Sequence, residues 1–191
     1  VTSTGLGDVS VFVKQVLVQI DDLQETFRIL GKASLKFPTG NKNLTPALGT
    51  GSWDFSFGTV AGWIGKRFGL YGDVSYSFNG TSEDYSYGNT FSYNVAIGFR
   101  LSPAVYETYP LTQWNLYLEA LGKYAAKDAV NGVANENSGG HTLFLAPGLQ
   151  WIPSRVFLAE VSLQFPALQS LNGTQLGTDI GLVAGIRLLL Y

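Results

Sequence analysis

SWDFSFGTVAGWIGKRFGLYGDVSYSF, residues Ser52 to Phe78, reads as two strands joined by a tight turn at Lys66-Arg67. In the first, Trp53, Phe55, Phe57, Thr59, Ala61 and Trp63 fall on one face, and Asp54, Ser56, Gly58 and Gly62 on the other. In the second, Phe68, Leu70, Val74, Tyr76 and Phe78 oppose Tyr71, Asp73, Ser75 and Ser77. Side chains alternate faces along a strand, so each strand has a greasy side and a wet side. The greasy side carries aromatics at both ends and smaller residues between. That is the pattern of a strand crossing a bilayer between two aromatic girdles. A half-buried strand of a soluble sheet alternates too, so the rest of the chain has to decide.

Working outward, the same alternation predicts nine strands: about Asp8–Ile20, Glu25–Phe37, Ser52–Ile64, Phe68–Phe78, Thr90–Leu101, Thr112–Ala126, His141–Ile152, Arg155–Phe165 and Thr178–Tyr191. Their lengths suit tilted membrane-crossing strands and exceed the usual strand of a soluble sheet. Asp21-Asp22, Lys66-Arg67 and Pro153-Ser154 read as tight turns, with the stretch from Ser102 to Leu111 the long exception on that side. The stretches 38–51, 79–89, 127–140 and 166–177 are long and rich in Gly, Asn, Ser and Thr. Short turns on one side and long loops on the other is the layout of an outer-membrane barrel.

Composition agrees. The 191 residues suit one domain, and charged residues are 14%, against about 25% in ordinary soluble chains. A net charge of -2 gives no field that would draw in nucleic acid. No run approaches the roughly 18 unbroken apolar residues of a membrane helix. A barrel is the other structure that satisfies its backbone in lipid. With no Cys, a disulfide framework and a Cys-based metal site are excluded.

The charges supply a face test. Lys14, Arg28, Lys32, Lys36, Asp54, Asp73, Arg100, Glu119, Lys123, Glu160 and Arg187 fall within predicted strands, most of them opposite the apolar stripe. They are the expected lining of a lumen. Lys14 is the least clean, since it shares its face with Phe12, Val16 and Val18 by simple alternation. Trp53, Trp63, Phe78, Phe91, Trp114, Tyr124 and Trp151, near strand ends, are the expected aromatics at the lipid interface. A soluble sandwich or lipocalin-like barrel would invert this picture, with the aromatic face filling a core. Strand length, scarce charge and the placing of Trp and Tyr at strand ends weigh against it. Pro147 removes a ladder donor inside the seventh strand, so a bulge or irregular pairing is expected near Gly148. Nine strands leave the two termini on opposite sides, whereas a complete bacterial barrel has an even number. The expectation is therefore a single barrel domain over residues 1–191 that lacks N-terminal strands of its parent.

Several stretches resemble a known family. Gly5-Leu6-Gly7-Asp8-Val9-Ser10 followed by Lys14, then Lys36-Phe37-Pro38-Thr39-Gly40, and Leu48-Gly49-Thr50-Gly51 with Asp54 after it, are similar to segments of the phenol MetA-pathway family of outer-membrane transporters. Ala146-Pro147-Gly148-Leu149-Gln150-Trp151, Phe165-Pro166 and Leu171-Asn172-Gly173 continue the likeness. The resemblance implies a Gram-negative outer-membrane barrel of about a dozen strands, a signal peptide, and further strands ahead of the Gly-Leu-Gly-Asp segment. It supplies no catalytic residues.

The expected function is a channel or transporter for small hydrophobic or aromatic molecules. The alternative is a non-transporting barrel with a plugged lumen that binds partners through its loops. The basic residues of the polar face outnumber the acids, which would favour anions in a water-filled pore. Glu119, Glu160, Arg100 and Arg187 read as a packed ionic network, and Arg28, Lys32 and Lys36 as the lining of an aqueous opening. His141, the one histidine, sits at a Gly-rich loop mouth with no nucleophile motif, so no enzyme is expected. No metal or cofactor is expected either. Glu83-Asp84 with Tyr85 and Tyr87 reads as a solvated loop. The expected partners are the lipid bilayer and a small solute, with no nucleic acid.

Overall fold

The computed structural model describes residues 2–106 and 111–189. It contains thirteen strands: β1 (Val9–Asp21), β2 (Glu25–Phe37), β3 (Asp54–Gly65), β4 (Phe68–Phe78), β5 (Thr81–Ser82), β6 (Tyr85–Ser86), β7 (Thr90–Ser102), β8 (Gln113–Ala125), β9 (Ala129–Val130), β10 (Val133–Ala134), β11 (Gly140–Ile152), β12 (Phe157–Leu171) and β13 (Gly181–Leu188). The nine long strands form one antiparallel meander in the order β1-β2-β3-β4-β7-β8-β11-β12-β13. The four two-residue strands form a second sheet in the order β10-β9-β6-β5. Among the described residues there is no helix, and none long and apolar enough to cross a membrane.

The nine predicted strands are all present among the described residues, with two corrections, the length of β12 and a second small sheet. β12 runs on to Leu171, past the expected end at Phe165. A register shift opposite Leu143 and Phe144 leaves Ala167 unpaired, so Pro166 is absorbed beside a bulge. Of the two outcomes expected at Pro147, irregular pairing is the one found: pairing with β8 is continuous, and pairing with β12 lapses at Ala146 and Pro147 and resumes at Gly148 in the same register, without a bulge. The four small strands lie in stretches expected to be loops. Of the last predicted strand, residues 190 and 191 lie outside the described residues, as do 107–110 of the long connection.

The main sheet is open. Among the described residues β1 pairs only with β2, and β13 only with β12. No closed barrel is formed among the described residues; the sequence leads one to expect the nine strands to be only part of one. An odd number of antiparallel strands brings the two edges up parallel, so they cannot join as another pair of the same kind.

The sheet curls nonetheless. One cavity of about 500 Å³ is lined by side chains from β3, β4, β7, β8, β11, β12 and β13. Laid flat, seven strands at a spacing of ~4.8 Å would spread over roughly 29 Å. Residues so far apart can share one hollow only if the sheet bends around it. The hollow is on the polar side. The one fully buried apolar residue among those described, Ala146, lies on that side too, in the row that holds Glu119. The apolar side has no covering layer: Phe55, Phe57, Phe68, Leu118 and Leu163 are 42–55% exposed.

Candidate functional site

Directly paired residues of an antiparallel sheet point to the same face. One polar row therefore runs Lys14, Lys32, Gly58, Ser75, Ser92, Lys123, Thr142 across seven strands. A second runs Arg28, Gly62, Tyr71, Ala96, Glu119, Ala146. A third runs Arg100, Asn115, Gln150, Glu160. Lys36 is paired with Asp54, Asp73 with Asn94, and Arg187 with Leu158 on the same side. All eleven charged residues singled out in the sequence thus share one face. Lys14 joins them because the chain shifts register between Val16 and Val18. That shift puts Phe12, Lys14 and Val16 on the polar side and moves Val18 to the other, so the mixed face read from plain alternation is corrected by one bulge.

The opposite face carries two aromatic bands. Towards the long loops lie Phe37 against Trp53 (centroids 5.0 Å), Phe55 paired with Phe78, and the row Phe57, Tyr76, Phe91, Tyr124. Towards the tight turns lie Trp63 paired with Phe27, Phe68 against Phe99 at 4.9 Å, and Trp114 stacked on Trp151 at 5.8 Å. Between them runs a row of small and aliphatic residues: Val18, Ile29, Ala61, Gly72, Val95, Ala120, Leu145. His141 belongs to this face, not to a loop mouth: its Nε2 lies 2.7 Å from the Tyr93 hydroxyl.

On the polar face the ions sort by height. At the loop end the Asp8 carboxylate accepts from the Gly40 and Thr50 amides (both 2.9 Å) and the Thr50 hydroxyl (3.1 Å). Lys36 donates to Thr50 Oγ1 at 2.5 Å, lies 3.6 Å from Asp8, and is ion-paired with Asp54. Asp54 also accepts from Ser52 Oγ (2.9 Å) and the Gly80 amide (3.0 Å). Burial pushes the Asp8 carboxyl up, but the Thr50 and Gly40 donors with Lys36 outweigh it and hold the group below its ordinary value. The backbones of Gly40 and Gly49 nearly touch: a Cβ on Gly40 would lie 2.6 Å from the Leu48 carbonyl oxygen. The first three stretches that carried the family resemblance, around Asp8, Lys36 and Thr50, thus meet in one cluster that ties residues 38–51 to this end of the sheet. Asp8 and Thr50 were not singled out as site residues, although both belong to the stretches that carried the family resemblance; β1 begins one residue after Asp8, and both stand outside strands.

Lower down, Lys32 reaches across β3 to Asp73 at 2.7 Å, and Asn94 supplies a further donor to Asp73 at 2.6 Å. Gly58 leaves the gap: a Cβ there would lie 2.9 Å from Lys32 Cε. Arg28 lies 3.7 Å from Asp21, and both are half exposed. Lys14 faces Lys32 directly, so like charges meet at the edge strand. At the turn end the expected ionic network is absent among the described residues. Glu119 has neither ion pair nor hydrogen bond, and Glu160 accepts only from the Gln150 amide at 3.1 Å. Asn115 donates to Gln150 at 2.8 Å, and Gln113 to Asn115 at 2.7 Å, so amides replace the expected cations.

Glu83 and Asp84 are exposed in the turn between β5 and β6, as expected of a solvated loop. Glu83 pairs with Lys42 at 2.7 Å, and the hydroxyl of Tyr85 donates to Asp128. That hydrogen bond, with burial, pushes the Tyr85 phenol up to about 12. Tyr87 donates to the Thr50 carbonyl at 3.1 Å, tying this hairpin to segment 38–51.

Residues 1–167 match the family described as "Putative MetA-pathway of phenol degradation". The chain belongs to that family. The match takes in the Asp8 cluster, both aromatic bands from β2 to β11, and the cavity lining as far as Gln164. In this phenol-degradation MetA family member the Leu171-Asn172-Gly173 likeness falls beyond the matched span. A comparison with curated proteins finds no match.

Proposed function

We propose that the chain forms the wall of an outer-membrane β-barrel in a Gram-negative bacterium and gives passage to small hydrophobic or aromatic molecules. The observation that carries this reading is the uncovered apolar face with aromatic bands at both heights. Exposed apolar surface of this extent marks contact with lipid or with another protein. A bilayer accounts for the two bands and for the aliphatic row between them. The curled polar face then lines a solute path, with Lys14, Arg28, Lys32, Lys36, Asp54, Asp73, Arg100, Glu119, Lys123, Glu160 and Arg187 along it. Membership of a phenol-degradation family supports an aromatic cargo. The role is passive, with no bond made or broken. In lipid the two free edges, β1 and β13, each require a strand partner.

A second reading is favoured by one observation. The Asp8, Lys36 and Asp54 cluster ties residues 38–51 to the loop end, as a plug would be tied. A barrel that is closed there and binds partners through its ordered loops fits that feature.

The Cys-free chain permits a direct test of the first reading. Single cysteines at Leu116 and Leu118 should resist a water-soluble maleimide in vesicles, while cysteines at Asn115 and Tyr117 should react. Equal labelling of the two sets would sink the membrane reading. Liposome swelling then separates an open path from a plugged one.

A further inference from the structure

The hollow of the polar face carries both signs of charge and keeps them apart. Lys66, in the turn between β3 and β4, and Arg100, near the end of β7, bring cations. Glu119 of β8 and Glu160 of β12 bring acids. Arg67 lines the hollow too, but its guanidinium is engaged by the carbonyls of Arg100 (2.9 Å) and Leu101 (3.2 Å) and lies over the Phe99 ring at 4.6 Å. Arg187 shares the polar face without lining the hollow. Glu119 is paired with Ala96, four residues from Arg100, and Glu160 stands in the row of Arg100 three strands away. Four residues of strand, or three strand spacings laid flat, each span about 14 Å. No ion pair joins acid and cation across that gap among the described residues.

Between the two signs lies a bare slot. Its floor is Gly69, paired with Gly98. Tyr71 covers Gly69, where an added Cβ would come within 2.9 Å of its ring, and Tyr117 leans the other way, over Gly148, where a Cβ would lie 2.2 Å from its Cζ. Arg100 stands two residues beyond Gly98 on one side, and Ala96, the partner of Glu119, two residues beyond it on the other. Both ends have hydrogen-bonding capacity to spare among the described residues. Arg100 donates to the Lys66 carbonyl at 2.6 Å and lies over the Tyr106 ring at 4.4 Å, but its Nε is a buried donor without a partner. Glu119 has neither hydrogen bond nor ion pair, and Glu160 accepts only from Gln150 at 3.1 Å. Both glutamates are partly open to solvent. What selects a ligand here is therefore the presence of a cationic and an acidic end on one slot, not the burial of either acid.

We infer that the slot is a binding station for a small aromatic acid that carries a hydrogen-bond donor at the opposite end of its ring. The carboxylate would meet Arg100 and Lys66, the ring would lie between Tyr71 and Tyr117, and the donor would reach Glu119. Charge-assisted hydrogen bonds at the two ends fix the orientation, and aromatic contacts favour the flat body. A hollow of about 500 Å³ accommodates such a molecule. The inference rests on the polar face being a solute path, and it confines the anion preference expected from the excess of basic residues to one end of the slot.

Four probes share one ring: para-hydroxybenzoate has both end groups, para-methoxybenzoate has its donor blocked, benzoate lacks the donor, and phenol lacks the acid. Calorimetric titration into the full chain in detergent should rank para-hydroxybenzoate first, about tenfold tighter than each of the others. The variants should cross. Arg100→Gln with Lys66→Gln should bring para-hydroxybenzoate down to the level of phenol and leave phenol unchanged. Glu119→Met should bring it down to the level of benzoate and leave benzoate unchanged, while Lys127→Gln in a loop should change nothing. Phenol or para-methoxybenzoate binding as tightly as para-hydroxybenzoate in the unmodified chain overturns the inference without any variant. So does a Glu119→Met chain that weakens benzoate and para-hydroxybenzoate alike. The expected ranking with no flux of para-hydroxybenzoate in liposomes keeps the station and removes the transport reading; flux of all four probes with equal affinities does the opposite.

Discussion

Asp8 shows what a single residue does here. Its side chain is only 8% exposed and takes three donors from two loop segments. Asp8→Asn would turn an amide donor towards the Thr50 or Gly40 N–H, leaving one unsatisfied. A hydrogen bond to a charged group is worth about 1.5–3 kcal/mol, so a loss of about 2–3 kcal/mol is expected in denaturant unfolding of the folded chain in detergent. Because the folded carboxyl titrates below the unfolded value of 3.8, its contribution is complete above about pH 4 and fades as pH falls through the folded value. Proteolysis of residues 38–51 should therefore stay slow from pH 7 to about pH 4 and quicken below it. An Asp8→Asn chain that keeps its loop protected at neutral pH would overturn this account. The charges of the strands were legible in the sequence because all but Lys14 obey plain face alternation, and Lys14 is set right by the register shift in β1. Their partners were not: Lys32 and Asp73 are 41 residues apart and meet only because Gly58 leaves a gap between them.

At the scale of elements, the long strands were legible because their two faces meet different surroundings and alternate accordingly. The small sheet was not, since a two-residue strand carries no periodicity. The shift in β1 was hidden for a related reason: Val16, Leu17 and Val18 are all apolar, so no face is marked. Pro166 read as a stop because proline usually ends a strand, yet a bulge accommodates it. The small sheet makes its own prediction. Tyr85→Phe removes the donor to Asp128 and should cost about 1 kcal/mol of loop docking, read as faster cleavage between residues 127 and 139. The phenol is raised in the folded state, so its hydrogen bond is intact below pH 10 and is lost as pH climbs towards about 12. Protection of that loop should follow the same curve, and Tyr85→Phe should flatten it.

For the whole molecule, the sharing of one face by the charges was legible, and the odd strand count already implied a sheet that does not close on itself; which strands cap its edges was not, because that is not written in the strands themselves. If the apolar face meets lipid, Leu118→Arg should destabilise the chain in bilayers by about 2–4 kcal/mol. Tyr117→Arg, one position along and on the polar side, should be tolerated. Equilibrium unfolding in vesicles separates the two, and equal penalties would count against a lipid-facing surface.

One further property follows from Ala146 being the sole apolar side chain fully shut away among the described residues. A body built inside out in this fashion has little interior to melt. If lipid covers that face, heat and denaturant must peel its ribbons apart at the rims, and the length of the surrounding amphiphile's tails will set its endurance more than any filling of voids. Transferred to plain water, the same polypeptide would bury its greasy coat against its own kind.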